Sequence, residues 1–324
     1  MSDRRRDWPR RRPLGGRGPL VTGLGLGGAP IGNLFTGVSD EQARSAVDAA
    51  WDAGIRYFDT APLYGHGLSE QRLGRALAGR PRDDYVLSTK VGYALRPPAA
   101  EPAPSVFADV DALETYFDYS RDAVLRSFEA SLDRLCVDRI DVVLVHDPDD
   151  HEHEALEQAF PTLVTLRDEG VIAAVGCGMN QSAMLERFVE RVDLDCVLLA
   201  GRYSLLDRSG GAALLPACAT RGIGVILGGV FNSGILVDPE GSPTYDYEDA
   251  PVALIARAQA LKALCEAHGT TLPAAALQFA MRHPAVTAVL VGARSAGELV
   301  ADVDAASMAI DETLWGEIEA LGPG

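Results

Sequence analysis

The sequence predicts an α/β protein whose eight parallel strands close into a single (β/α)8 barrel. Short aliphatic runs alternate with longer amphipathic stretches from residue 20 onward. The short runs are continuously apolar, which is typical of parallel strands buried under helices. Titratable residues stand where several of these runs end. The carboxyl ends of barrel strands meet on one rim, and this rim is where such barrels carry out chemistry.

The predicted elements alternate along the chain. Strands are expected at Leu24–Gly27, Arg56–Asp59, Val86–Lys90, Asp141–Val145, Ala173–Gly178, Cys196–Ala200, Gly224–Leu227 and Ala288–Val291. Helices are expected at Ser39–Ala53, Ser69–Ala78, Arg121–Leu135, His153–Glu169, Gln181–Val192, Ala212–Arg221, Val252–His268 and Ala296–Met308. Ser39 is an N-cap for the first helix, and Gly54, Gly170 and Gly222 each follow a helix end.

An open, doubly wound sheet is the main alternative fold. Such a sheet would carry Gly-x-Gly-x-x-Gly between its first strand and first helix. The segment from Leu24 to Pro30 is rich in glycine, but it ends in proline and no helix begins there. The barrel is therefore preferred.

Length and charge narrow the class of protein. The 324 residues fit one barrel, and we expect residues 13–324 to form a single domain. The net charge of −17 argues against nucleic acid and membrane partners, and no apolar run is long enough to span a bilayer. Residues 1–12 are basic but no apolar stretch follows them, so we expect a disordered tail and not a targeting signal.

The five cysteines are odd in number and widely spaced, at Cys136, Cys177, Cys196, Cys218 and Cys265. This pattern favours free thiols in a reducing compartment over a disulfide framework or a zinc site. We therefore predict a cytoplasmic protein.

Two connections are too long to be simple turns, Gly92–Ser120 and Phe231–Ala250. Both follow predicted strands, so both lie on the catalytic rim of the barrel. Loops of this length are either functional or disordered, and here we expect lids or binding loops.

Four residues suit proton transfer without a metal ion. Asp59, Lys90 and His146 each stand at the end of an apolar run, and Tyr64 follows in a loop rich in Pro and Gly. A tyrosine ionises near pKa ~10 and needs a neighbouring cation to act near neutral pH. A lysine supplies that cation, an aspartate holds the lysine in place, and a neutral histidine can orient a substrate oxygen.

A metal-dependent hydrolase is the alternative suggested by the acidic and histidine-rich segment from His146 to Glu154. Histidine and carboxylate groups at barrel strand ends bind such metals. However, all of these residues belong to one segment, and no histidine stands at another strand end. We therefore expect no metal site.

The same residues resemble those of the aldo-keto reductases over nearly the whole chain. The resemblance rests on Asp59-Thr60-Ala61-x-x-Tyr64-Gly65-x-Gly67-x-Ser69-Glu70, on Ser88-Thr89-Lys90 and on His146. It implies a (β/α)8 barrel that binds a nicotinamide cofactor across its rim. Tyr64 would donate or accept a proton, Lys90 and Asp59 would tune it, and His146 would orient the carbonyl or alcohol. Some members of the family are non-catalytic, cofactor-binding channel subunits, and this alternative stays open.

Within the family, three segments resemble the aldose 1-dehydrogenases and pyridoxal 4-dehydrogenase. They are Leu24–Pro30, Gly32–Phe35 and Gly228–Leu236. This likeness implies oxidation of an aldose at C1 to its lactone, with an aldose or aldehyde as the small-molecule substrate. Oxidation of pyridoxal and NADPH-dependent carbonyl reduction are the alternatives. The oligomeric state is not predicted.

The resemblance also implies cofactor contacts. The family holds the nicotinamide carboxamide with a serine, an asparagine and a glutamine. Asn180 keeps the asparagine, but Met179 replaces the serine and Ala200 replaces the glutamine. Pyrophosphate contacts are expected at Gly228, Gly229, Phe231, Ser233 and Gly234.

Around the adenosine ribose, Gly292 and Glu298 stand where NADP-preferring relatives carry lysine and arginine, and Asp302 replaces an asparagine. A carboxylate suits a ribose 2′-hydroxyl and repels a 2′-phosphate. Arg294 could still reach a phosphate. We therefore predict NAD as the preferred cofactor, with NADP possible.

Overall fold

Eight parallel strands close into a barrel in the computed structural model, which describes residues 8–98, 105–110, 113–241 and 243–322. The barrel strands are β1 (Leu24–Gly27), β2 (Tyr57–Asp59), β3 (Val86–Val91), β4 (Val142–His146), β5 (Ala174–Met179), β6 (Cys196–Ala200), β7 (Gly224–Gly228) and β8 (Val286–Gly292). Each strand pairs in parallel with the next, and β8 pairs with β1 to close the ring. The predicted fold class is confirmed.

Helices surround the barrel. They span Asp40–Asp52, Leu68–Leu77, Arg121–Leu135, Phe160–Asp168, Ser182–Arg191, Leu214–Arg221, Val252–Ala267, Leu272–Arg282, Ala296–Ser307 and Glu312–Ala320. The first begins with a capping box in which Ser39 and Gln42 satisfy each other's backbone N–H groups. None of the helices in the described ranges is long and apolar enough to cross a membrane.

The sequence interpretation missed two helices and predicted one continuous helix where the structure has an interrupted one. Leu272–Arg282 and Glu312–Ala320 were not predicted. Gly269, at φ +66°, ends the helix before Leu272–Arg282, and the Thr271 hydroxyl accepts from the Ala274 N–H at 3.3 Å to start it. The helix predicted at His153–Glu169 is interrupted by a π-helical segment over Ala155–Ala159. This segment lies directly before the helix that contains Pro161, which has no N–H to donate.

The predicted disordered tail extends too far into the chain. Residues 1–7 lie outside the described residues, but Trp8 is buried and Arg11–Pro13 pairs with Leu20–Thr22 in an antiparallel hairpin. The Arg11 guanidinium also donates to the carbonyl of Asp84. Burial of an indole outweighs the basic composition here, so the boundary at residue 12 is wrong. That residues 13–324 form one domain stays a prediction.

Besides the N-terminal hairpin, the structure has two hairpins that lie on the catalytic rim. Tyr93–Arg96 pairs with Glu114–Phe117, and Thr244–Tyr245 pairs with Glu248–Asp249. They belong to the two long connections that were expected on the rim, although residues 99–104, 111–112 and 242 lie outside the described part. A bridge between Leu34 and Phe107 joins the loop after β1 to the first of these connections.

All five cysteines are free thiols, and four of them are buried while Cys136 is exposed.

Candidate active site

The Asp59–Lys90 ion pair is the centre of the site. Asp59 ends β2 and Lys90 lies near the end of β3, so the barrel places both side chains on the same rim. The Lys90 ammonium lies 2.6 Å from Asp59 Oδ2, and the two residues are 1% and 2% exposed. The ammonium also donates to the Thr60 carbonyl at 3.0 Å, and Ser88 Oγ donates to Asp59 Oδ1 at 2.7 Å. These bonds fix the position of the cation.

Tyr64 lies in a tight loop between β2 and the following helix. Gly65 adopts φ +64°, and a Cβ atom there would lie 2.4 Å from the Gly32 carbonyl oxygen. The Ser69 N–H donates to the Tyr64 carbonyl at 3.1 Å, and the Ser69 hydroxyl donates to the Gly28 carbonyl at 2.7 Å. The glycine and serine of the motif therefore hold the loop against the segment that follows β1.

Glu70 is the buried acid of the same motif, and its role is structural. Its carboxylate accepts from Thr89 Oγ1 at 2.7 Å and from the Arg134 guanidinium at 2.5 Å. Thr89 precedes Lys90 in β3. The bonds of Glu70 therefore tie the helix after Tyr64 to the strand that carries the lysine.

The environment of Tyr64 combines burial with a nearby cation. Lys90 Nζ lies 4.6 Å from the centre of the phenol ring. Burial raises the pKa of Tyr64 to about 12, although the charge and hydrogen bond of Lys90 lower it. The pKa of Lys90 is itself raised: burial opposes its charge, but Asp59 and Tyr64 outweigh that effect. Lys90 is therefore a permanent cation that favours the phenolate form of Tyr64.

His146 ends β4 on the other side of Tyr64. The two rings lie edge to face with their centres 5.9 Å apart. Burial and the charge of Lys90 lower the pKa of His146 well below its usual value, so the imidazole is neutral. Its Nδ1 atom is buried without a hydrogen-bond partner among the described residues. The backbone is fixed, because the Tyr119 hydroxyl donates to the His146 carbonyl at 2.7 Å.

The structure adds residues that sequence reasoning missed. Asp147 follows His146, and its Oδ2 atom lies 3.6 Å from His146 Nε2. The Tyr93 ring lies 5.0 Å from the His146 ring, and the Phe107 ring lies 6.2 Å from the Tyr64 ring. Tyr93 and Phe107 come from the long loop after β3, whose path is set by tertiary contacts. The only sequence signal was the position of Asp147 next to His146.

The loop after β7 contains several residues in the left-handed backbone conformation. Gly229, Ser233 and Gly234 have φ values of +61°, +60° and +109°. Asn232 lies between them, buried, with Nδ2 donating to the Gly201 carbonyl at 3.0 Å and Oδ1 without a partner in the described chain. Asn180 follows β5 and is half-buried. These strand ends lie on the same rim as Lys90, since Gly178 in β5 packs near the lysine side chain.

Arg294 and Glu298 pair with each other after β8. Arg294 Nη2 lies 2.7 Å from Glu298 Oε1, and the Arg294 N–H donates to Glu298 Oε2 at 2.8 Å. Asp302 lies one turn further along the helix Ala296–Ser307. Burial and the charge of Glu298 raise the pKa of Asp302 to about 7. Gly292 ends β8, and a Cβ there would lie 2.7 Å from the Pro30 ring.

In the segment after β4, His151 serves a packing role. His151 packs against Phe117 and Tyr119 with ring centres 5.2 Å apart in both cases. Within the described ranges, no three histidine, cysteine or acidic residues come together to hold a metal ion.

The chain is similar to known proteins over most of its length. The chain is 41% identical to D-threo-aldose 1-dehydrogenase from a Pseudomonas species, covering 93% of this chain and 94% of that protein. It is 40% identical to pyridoxal 4-dehydrogenase from Microbacterium luteolum, covering 96% and 97%. The holo form of an aldo-keto reductase from Bacillus halodurans superposes with a TM-score of 0.75 at 27% identity, covering 96% of each chain. The aldo/keto reductase family model matches residues 23–323. The chain therefore belongs to the aldo/keto reductase family of oxidoreductases, as the sequence predicted.

Proposed function

We propose that this enzyme oxidises an aldose at C1 to its lactone, with Tyr64 as the general base. One observation carries the proposal: a buried lysine, fixed by Asp59 at 2.6 Å, lies 4.6 Å from the ring of Tyr64, which also faces a neutral histidine. This arrangement can move a proton to or from an oxygen atom without a nucleophile. The relatives at 41% and 40% identity are both dehydrogenases by name, which supports the oxidative direction.

The residues on the rim fit a nicotinamide dinucleotide. Asn180 offers an amide, and Gly229 and Gly234 allow a pyrophosphate to approach the backbone. Asn232 lies in the same loop, and its Oδ1 atom has no hydrogen-bond partner among the described residues. When bound, the oxidised nicotinamide accepts the hydride that leaves C1. The remaining chemistry belongs to the protein.

The protein's own residues move the proton. The neutral His146 donates a hydrogen bond to the C1 oxygen and sets the face of the sugar that is presented. Tyr64, as phenolate, removes the proton from the C1 hydroxyl while the C1–H bond breaks and C1=O forms. Lys90 stabilises the phenolate, and Asp59 keeps the lysine in place. In a cyclic aldose C1 also carries the ring oxygen, so the product is a lactone.

NAD is the proposed cofactor because carboxylates surround the expected position of the adenosine ribose. Glu298 and Asp302 would repel a 2′-phosphate. Arg294 is paired with Glu298, which reduces its availability for a phosphate. Kinetic parameters for NAD+ and NADP+ measure this preference, and equal or better efficiency with NADP+ would contradict it.

Formation of NADH with NAD+ and either L-fucose or pyridoxal tests the proposal. Mildly alkaline pH is appropriate because the pKa of Tyr64 is raised to about 12, so the fraction of Tyr64 in the phenolate form increases with pH. Turnover of the sugar with lactone as product supports it. Turnover of pyridoxal alone would replace the aldose with the substrate named for the relative at 40% identity. Cofactor binding without turnover of any alcohol or aldehyde would indicate a non-catalytic role.

A further inference from the structure

Two polar side chains outside the four proposed catalytic residues lie beside His146, namely Asp147 and Tyr93, while Tyr247 lies in the rim hairpin after β7. The Asp147 carboxylate lies 3.6 Å from His146 Nε2, and its side chain is 32% exposed. The Tyr93 ring packs edge to face against His146, and the Tyr247 ring lies 5.6 Å from that of Phe35. Burial first, and then the charge of Asp147, raise the pKa of Tyr93, while Tyr247 is 58% exposed.

The backbone holds Asp147 in an unusual conformation. Its φ angle is +42°, a left-handed value that non-glycine residues seldom adopt. The Tyr119 hydroxyl shares its one proton between the His146 carbonyl and the Asp147 carbonyl, the latter at 2.8 Å, and the Asp147 N–H donates to the Gly178 carbonyl at 3.0 Å. These bonds fix the strained residue directly after His146. Strain that is held in this way at a strand end points to a functional constraint.

Among the described residues, neither an ion pair with a lysine or arginine nor a helix-capping contact accounts for the Asp147 carboxylate. Lys90 is committed to Asp59, and Asp149 adds a second negative charge nearby. Burial and the charge of Asp149 raise the pKa of Asp147 to about 7, although Lys90 and the hydrogen bond from Tyr93 lower it. The Asp147 side chain is 32% exposed, so its carboxylate keeps acceptor capacity beyond the hydrogen bond from Tyr93. A ligand with hydroxyl groups would satisfy it.

We propose that Asp147 is a specificity-determining residue that accepts a hydrogen bond from the hydroxyl group on C2 of the aldose, beside the reacting carbon. This inference rests on the proposed function. His146 orients the C1 oxygen, and Asp147 lies one residue further along the same strand end, where the neighbouring C2 hydroxyl comes within reach. Tyr93 adds a phenol group next to the same histidine. The site therefore selects sugars with a free C2 hydroxyl.

The test compares L-fucose with 2-deoxy-L-fucose in the wild-type enzyme and in Asp147→Asn. A hydrogen bond to a charged acceptor makes the wild type prefer L-fucose by roughly 10- to 100-fold in kcat/KM. Asparagine tolerates positive φ, so the variant keeps the fold, and its weaker amide acceptor reduces the preference by about tenfold. Asp147→Ala removes the acceptor and the remaining preference. A thermal unfolding curve for each variant checks that the protein is folded.

Asp150→Asn is the matched control, because Asp150 is an exposed carboxylate in the same segment. It should leave the ratio between the two sugars unchanged. If Asp147→Asn keeps the wild-type ratio, or if the wild type does not distinguish the sugars, the assignment of Asp147 is wrong while the proposed function stands. If the wild type oxidises neither sugar, both proposals fail together.

Discussion

The Asp59–Lys90 pair has a proposed catalytic role, and the stability of the protein also depends on keeping both of its charged groups. Both groups are almost completely buried, and the lysine has no other anionic partner among the contacts described for it. A buried pair contributes little net stability, but removal of one partner leaves an uncompensated charge in a medium of low dielectric constant. Substitution here should therefore affect stability as well as turnover.

Lys90→Met should lower the free energy of unfolding by about 3–5 kcal/mol, because the Asp59 carboxylate loses its counter-ion. Chemical denaturation followed by circular dichroism measures this change. Lys262→Met is the control: Lys262 pairs with Glu240 at 2.8 Å on the surface, and loss of such a pair costs at most about 1 kcal/mol. Equal effects of the two substitutions would contradict the buried pair. The double variant Lys90→Met, Asp59→Asn should recover part of the loss.

Asp302 should make cofactor preference depend on pH. Its pKa is raised to about 7, so the carboxyl is largely neutral at pH 6 and ionised at pH 8.5. The preference for NAD+ over NADP+ in kcat/KM should therefore increase with pH in that interval. Because the 2′-phosphate also titrates near pH ~6, Asp302→Asn is needed as the reference. The same pH dependence in this variant would assign the effect to the phosphate alone.

The loop that carries Tyr64 depends on a close approach between two glycines. Gly65→Ala introduces a Cβ atom that would lie 2.4 Å from the Gly32 carbonyl oxygen, in addition to left-handed strain. We expect kcat to fall by at least about tenfold, because small misplacements of a catalytic group are costly. Steady-state kinetics measures the loss.

Gly79→Ala is the control, because it introduces left-handed backbone strain without a steric clash that could displace Tyr64. Gly79 also has positive φ, at +81°, but a Cβ there would meet nothing within 4 Å. This variant should lose stability and keep its kcat. If both alanine variants have the same kcat, the close approach at Gly65 does not position Tyr64.

Elements with a strong local pattern were predictable from the sequence, and those stabilised by distant contacts were not. The barrel strands follow from their continuous aliphatic runs, and Leu24–Gly27 and Cys196–Ala200 match at both ends. The hairpin of Tyr93–Arg96 and Glu114–Phe117 has no tight turn in the sequence to indicate its register. Leu272–Arg282 was missed because the preceding helix, Val252–Ala267, already supplies the helix expected between β7 and β8.

The site shows the same division at residue level. The side chains at strand ends, Asp59, Lys90 and His146, come together because barrel topology brings all strand ends to one rim. Tyr93 and Tyr247 belong to long loops and are far from His146 along the chain, so no sequence pattern predicted that they lie on the same rim. The Arg294–Glu298 ion pair was also not foreseen, since side-chain pairing depends on the helix that begins between them.

At the scale of the whole molecule, the two ends of the barrel have different tasks. The rim carries the proposed chemistry. The opposite end is closed by the N-terminal hairpin, where Leu14 and Val21 are fully buried and pack with inward-facing residues such as Tyr57 and Val142. Residues on the rim should therefore determine activity, and residues at the opposite end should determine stability.

Leu14→Ala should destabilise the protein by about 2–5 kcal/mol through the cavity it leaves. The turnover of the folded fraction should be unchanged, because the cavity lies at the end opposite the rim. Leu20→Ala is the control in the same hairpin, since Leu20 is 54% exposed and its loss should cost little. Thermal unfolding with active-site titration measures both effects. A fall in kcat of folded Leu14→Ala would show that the two ends are coupled.

The most direct test of the central claim is the kcat of Tyr64→Phe for aldose oxidation with saturating NAD+. Phenylalanine keeps the ring that faces Lys90 and His146 but cannot accept a proton. Tyr85→Phe, which removes a hydroxyl from a buried tyrosine outside the site, is the control and should keep its activity. The account predicts that kcat of Tyr64→Phe falls by about 10²- to 10⁴-fold while cofactor binding is retained. A kcat close to that of the wild type would contradict Tyr64 as the general base.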